Sequence, residues 1–185
     1  MARLYLVRHG EPTGSWGVSP DPDPGLSELG HSQARVTAER LLATKPAVIA
    51  TSPLRRAAET AAPLSRLMGL APIITPPVSE IPTPAHIAHE DRGSWLRSVM
   101  AQSWDQLDPF LGQWRQEAIA CLAAMPSDTA VFSHYVLINV AVGAAIGDHR
   151  VHCFAPAHAS VTVLETNRNS LTLLELGATG QSAIR

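Results

Sequence analysis

The chain alternates short apolar runs with longer stretches of helical periodicity. An apolar, β-favouring run over residues 3–7 predicts a buried first strand. Gly, Pro, Ser and Asp crowd residues 10–25, which reads as loop. Ser27 has N-cap chemistry and Glu28 follows in the first turn, where the helix dipole favours an acid. Leu29, Ala34, Ala38, Leu41 and Leu42 then recur at helical spacing until Lys45-Pro46. Residues 47–50 predict a second strand. Thr51 or Ser52 is the expected cap of a second helix, with Pro53 in its first turn and Gly69 just past its end. A short third strand is expected over residues 72–75, then a proline-rich loop over 76–84 that contains Glu80. Helical stripes follow over 92–103 and 105–125, a strand over 129–133 and an apolar helix over 134–147. Residues 161–165 and 171–176 predict a hairpin around Asn167-Arg168-Asn169.

Strands separated by helices imply parallel βαβ units. The expected fold is therefore α/β: a three-layer α/β/α sandwich with a mostly parallel central sheet and helices on both faces. One domain over residues 1–185 is the default at this length, with a small helical cap inserted over about residues 76–128. Ligands of such sheets bind outside the carboxyl ends of the strands.

Composition narrows the function classes. The net charge is −2, and charged residues make up 16% of the chain. No basic excess marks a nucleic-acid binder. The most apolar run, residues 135–147, is too short to span a membrane, where about 20 residues are needed. The opening strand runs straight into Arg8, which is not the pattern of a signal peptide, so a cytoplasmic location is expected. Cys121 and Cys153 predict reduced thiols. Of the 14 basic residues 13 are Arg, so an anion site here must be built from guanidinium forks.

Three predicted strands end in reactive side chains. The first ends at Arg8, His9 and Gly10; the second at Thr51 and Ser52, with Arg55 and Arg56 one turn further on; the fourth at Ser133 and His134. One sheet edge would therefore gather two His, Arg8 and at least one of Arg55 and Arg56. That set suits phosphoryl transfer. A neutral imidazole attacks phosphorus, Arg binds non-bridging oxygens in pairs, and a helix N-terminus adds backbone donors. Nearby guanidiniums disfavour imidazolium and keep the nucleophile neutral.

These segments resemble the histidine phosphatase superfamily, the phosphoglycerate-mutase-like proteins. Leu6-Val7-Arg8-His9-Gly10-Glu11 is similar to its signature. Leu26-Ser27, Gly30 and Gln33-Ala34 resemble its first-helix motif. Ser52-Pro53-Leu54-Arg55-Arg56-Ala57 with Thr60-Ala61 resembles its second-arginine motif, and Val131-Phe132-Ser133-His134 its second-histidine motif. The resemblance implies His9 as the nucleophile that becomes phosphohistidine, and Arg8, Arg56 and His134 as the phosphate pocket. It implies Glu80, after the third strand, as the acid that protonates the leaving oxygen and then activates water. No cofactor and no metal are implied. His86 and His89, and His149 and His152, pair at a spacing of three without a third ligand nearby.

The chain departs from the family pattern twice. Ser15 stands where many relatives place a phosphate-contacting Asn, and Tyr135 where many have Gly. Ser15 is kept as a phosphate ligand; Trp16, Tyr135 and His158 are candidate substrate contacts. Arg55 reads as a solvated helix residue, and Glu11 sits at a variable motif position. The expected activity is phosphomonoester hydrolysis of a small molecule. A mutase-type phosphotransferase is the alternative, and so is a phosphate-binding regulatory module without catalysis. A mutase must hold a second phosphate, yet Arg92, Arg97 and Arg115 are the only basic residues between Glu80 and Thr129. The sequence sets neither the particular phosphoester nor the oligomeric state.

Overall fold

Leu4 and Leu6 alternate with Tyr5 and Val7 along the first strand, and all four are buried, so this strand has helices on both sides. The computed structural model describes residues 1–14 and 21–180. Its elements are β1 (Ala2–Arg8), α1 (Glu28–Leu42), β2 (Val48–Thr51), α2 (Arg55–Met68), β3 (Ile73–Ile74), α3 (Arg92–Met100), α4 (Pro109–Ala123), β4 (Thr129–Ser133), α5 (Tyr135–Ile146), β5 (Val161–Thr166) and β6 (Leu171–Glu175). The strands form one mixed sheet in the order β3-β2-β4-β1-β5-β6. Pairing is parallel from β3 to β1 and antiparallel from β1 through β5 to β6.

The two faces carry separate cores. Tyr5, Val7, Ile49, Ala130 and Phe132 face α1 and α2 through Ala38, Leu41, Ala61 and Leu64. Leu4, Leu6, Ala50 and Val131 face α5 and the segment before β4. The α/β sandwich is as expected. The expected cap over residues 76–128 is less separate than its sequence suggests. Leu96, Val99, Trp104, Leu111, Ala118 and Leu122 share one core with α5, so α4 is a layer helix of the sandwich.

Local signals explain most element ends. The Ser27 hydroxyl accepts from the Gly30 N–H at 3.0 Å and caps α1. Gly69 ends α2 with φ +66°, a left-handed conformation that needs no Cβ. Two ends differ from expectation. α2 starts at Arg55 with Leu54 as its N-cap, because Ser52 closes β2 and its hydroxyl is engaged elsewhere. The predicted helix over 105–125 starts only at Pro109. Asp108 accepts from the Phe110 N–H at 3.0 Å, and proline suits the first helical position. No helix among the described residues is long and apolar enough to cross a membrane.

Candidate active site

The sheet register builds the site. Arg8 pairs with Ser133 across β1 and β4. The ladder continues one step beyond the strands, where the His9 N–H donates to the Ser133 carbonyl at 2.9 Å and the Ser52 N–H to the Phe132 carbonyl at 3.0 Å. The carboxyl ends of β2, β4 and β1 thus deliver Ser52, His134 and His9 in one row. The rings of His9 and His134 lie with centroids 5.2 Å apart.

His9 Nδ1 lies 2.8 Å from the Gly10 carbonyl oxygen. A carbonyl only accepts, so this contact places the ring proton on Nδ1 and the lone pair on Nε2. The loop behind the ring is clamped. The Gly10 N–H donates to Thr60 Oγ1 at 3.0 Å, and Thr60 in turn donates to the Arg56 carbonyl at 2.7 Å. The Glu11 N–H donates to Gln33 Oε1 at 2.8 Å, and the Ser27 hydroxyl donates to Glu11 Oε1 at 2.8 Å. A Cβ on Gly30 would strike the Glu11 carbonyl, so the first turn of α1 packs backbone to backbone on the Gly10-Glu11 segment. Gly30, Gln33, Thr60 and Glu11 therefore hold the loop that carries His9.

Two guanidiniums sit in this pocket. Arg56 is 2% exposed and Arg8 7%. Burial pulls the Arg8 pKa down to about 10, opposed by the nearby Glu80 carboxylate, so it stays a cation at neutral pH. Arg8 donates to the Pro156 carbonyl at 2.8 Å, and its guanidinium lies 5.0 Å from the centre of the Tyr135 ring. The Tyr135 hydroxyl lies 3.1 Å from His152 Nδ1, and the two rings stack within 5° of parallel. Tyr135 is thus a brace for Arg8. Arg55, next to Arg56, points outward and pairs with Glu59 at 2.7 Å.

Burial first, then the Arg56 charge, holds the His9 pKa well below the usual imidazole range; His134 and Arg8 add to this. Burial, Arg56, Arg8 and Arg92 do the same for His134. Both rings are neutral at pH 7. His134 Nε2 lies 2.8 Å from the Ser52 hydroxyl, which also accepts from the Leu54 N–H at 3.2 Å. When the Ser52 hydroxyl donates to Nε2, Nδ1 carries the ring proton. That Nδ1 is buried and makes no hydrogen bond to the described residues.

Glu80 is buried at the N-terminus of α5. Its Oε1 accepts from the Val136 N–H at 3.1 Å and from the Ile81 N–H at 3.0 Å. The flanking backbone is tied on both sides. Ser133 donates to the Val78 carbonyl at 2.6 Å, and Arg92 to the Ile81 carbonyl at 3.1 Å. The Glu80 charge is felt by Arg8, Arg56 and Arg92 alike. A cleft of about 310 Å³ opens beside Glu80, walled by Pro22, Leu54, Ile81, Pro82, His89 and Arg92.

Of the residues singled out by sequence, Arg8, His9, Arg56, Glu80, His134, Tyr135 and His158 come together here. Ser15 and Trp16 lie outside the described residues. The sequence offers Arg92 only as a basic residue of the cap, yet it anchors the Glu80 segment, and its guanidinium lies 5.8 Å from the centre of the Trp95 ring. The sequence signal for this is spacing: the apolar Leu96 and Val99 stand four and seven residues after Arg92, which puts it on the same helix face, and that face is the buried one. Among the described residues, no three His, Cys, Asp or Glu side chains are grouped to hold a metal ion.

Comparison with known proteins gives the family. The family model of the histidine phosphatase superfamily (branch 1) matches residues 4–179, and the chain belongs to that superfamily. It is 44% identical over 82 residues to a PE-PGRS family protein, PE_PGRS11, of Mycobacterium tuberculosis, covering 42% of this chain and 14% of that protein. It is 31% identical over 121 residues to phosphoserine phosphatase 1 of Hydrogenobacter thermophilus, covering 63% of this chain and 52% of the relative. These matches span about half or less of the curated relatives' own lengths. Among solved structures, a mycobacterial glucosyl-3-phosphoglycerate phosphatase in complex with VO3 superimposes with a TM-score of 0.72 at 24% identity. That match covers 97% of this chain and all of the other, and it shows a shared fold.

Proposed function

We propose that this protein hydrolyses small-molecule phosphomonoesters through a phosphohistidine on His9. The observation that carries the reading is the Nδ1 contact to the Gly10 carbonyl, which leaves a neutral Nε2 as nucleophile in a pocket with Arg8, Arg56 and His134. The bound phosphomonoester, as its monoanion, passes its proton to Glu80; Nε2 attacks phosphorus, the bond from phosphorus to the ester oxygen breaks, and Glu80 gives that proton to the departing alkoxide. Glu80 then takes a proton from water, whose oxygen attacks phosphorus. The N–P bond breaks, and phosphate leaves with His9 restored. Arg8 and Arg56 hold the equatorial oxygens, and His134 donates from Nδ1.

Hydrolysis of an aryl phosphate by the wild type and by His9→Ala tests the reading. The wild type should yield a trapped phosphoenzyme that is labile in acid and stable in alkali, and the variant none. Equal turnover by both proteins removes His9 from the mechanism.

A further inference from the structure

His158 lies beside His9 and has no role in the chemistry above. Its ring centroid lies 5.7 Å from that of His9, tilted by 42°. His9 therefore has two imidazoles beside it, His134 at 5.2 Å and His158.

The placement is built into the backbone. Asn139, a polar residue within the apolar α5, accepts from the Cys153 and Phe154 N–H groups at 2.7 and 3.0 Å and fixes the chain that leads back to β1. Residues 156–160 then dock on the end of β1. The Ala159 N–H donates to the Arg8 and His9 carbonyls at 3.0 and 3.3 Å, and the Arg8 N–H donates to the Ser160 carbonyl at 3.2 Å. Thr37 donates to the Ala159 carbonyl at 2.7 Å. Ala159 sits at φ +56°, a left-handed conformation that costs a non-glycine residue about 1 kcal/mol and persists where its surroundings fix it. Backbone contacts, not the imidazole, hold this turn. Among the described residues the His158 ring makes no hydrogen bond.

Resting on the phosphohistidine reading, we infer that His158 is a further phosphoryl ligand, donating one ring N–H to a non-bridging oxygen of the group carried by His9. Burial and the Arg8 charge lower its pKa to about 4, so the ring is neutral at working pH and has one N–H to give. A neutral donor suits this place. It adds a hydrogen bond to the spreading negative charge of the transition state without a third cation against His9.

The test compares His158→Phe, which keeps a packed ring and loses the donor, with His158→Asn, which keeps an N–H. Each is assayed on p-nitrophenyl phosphate, with inorganic phosphate as the inhibitor. Loss of one donor to an anion predicts a fall of about 10- to 100-fold in kcat/KM and in phosphate affinity for the Phe variant. The Asn variant should retain more of both. A Phe variant at wild-type level, or an Asn variant that falls as far as Phe, overturns the inference. ¹⁵N-histidine spectra of the wild type give a readout that does not depend on the variants folding. Inorganic phosphate should shift the His158 ring signals, and unmoved signals overturn the assignment. A wild type that forms no phosphoenzyme defeats the His9 reading instead; a phosphorylated wild type with an indifferent His158→Phe defeats only this inference.

Discussion

Glu80→Gln separates the two proton transfers assigned to one side chain. The amide keeps an Oε1 acceptor, so the bonds from Val136 and Ile81 at 3.1 and 3.0 Å survive in neutral form. Charge-assisted hydrogen bonds are roughly twice as strong as neutral ones, so the stability loss is about 1–3 kcal/mol and the protein stays folded. What disappears is the proton. General acid catalysis contributes about 10²- to 10⁴-fold, or about 3–5 kcal/mol of barrier. For an alkyl phosphate, kcat/KM should fall by that amount. For p-nitrophenyl phosphate the leaving phenolate needs no proton, so kcat/KM, which reports formation of the phosphoenzyme, should fall less than about tenfold. Water activation is lost for both substrates. The aryl substrate should therefore show a burst of p-nitrophenol followed by slow turnover, with phosphohistidine accumulating. Inorganic phosphate should also inhibit the variant more strongly, because a carboxylate beside Arg8, Arg56 and Arg92 is gone. Stopped-flow traces on the two substrates decide the matter. Equal slowing of both without a burst means that another group is the acid.

Three further outcomes are expected. Tyr135→Leu removes the ring over the Arg8 guanidinium, a contact worth about 0.5–2 kcal/mol; KM for p-nitrophenyl phosphate should rise several-fold while Tyr135→Phe stays near wild type, and a Leu variant with unchanged KM removes the brace. Stability should fall as pH drops below about 6.5, because the unfolded chain protonates histidines that the folded protein keeps neutral. His9 and His134 together give a slope of up to about 2.7 kcal/mol per pH unit once the pH is below the unfolded imidazole value, and urea midpoints that stay level as the pH falls through it contradict the burial of two neutral imidazoles. Arg168→Gly relieves φ +78° in the exposed β5-β6 turn; it should add about 1 kcal/mol and raise Tm by about 2–4 °C by calorimetry, leaving activity unchanged.

The strand ends were readable from sequence because each reactive residue follows directly on an apolar run. Once β1, β2 and β4 are adjacent and parallel, His9, Ser52 and His134 fall on one edge without further information. Periodicity is a property of one segment at a time, so it missed whatever depends on a distant partner. Arg8 is held by the Pro156 carbonyl, 148 residues away, and no local pattern announces that. The role of Tyr135 depends on His152, and that of Arg92 on the Ile81 carbonyl. β3 shrank to two exposed residues because it is the edge strand, with one neighbour to pair with and little apolar cover. Ser52 shows how the site itself misleads a local reading. A serine after a strand and before a helix has cap chemistry, and the nearest helical cap was the natural assignment. In the folded protein its hydroxyl accepts from the Leu54 N–H and meets His134 Nε2, and α2 starts without a side-chain cap. Omitting such a cap costs about 1 kcal/mol. Setting the tautomer of a buried histidine in the candidate site is a reason for the chain to bear that cost, and local helix rules fail first where a side chain serves the site instead of the helix.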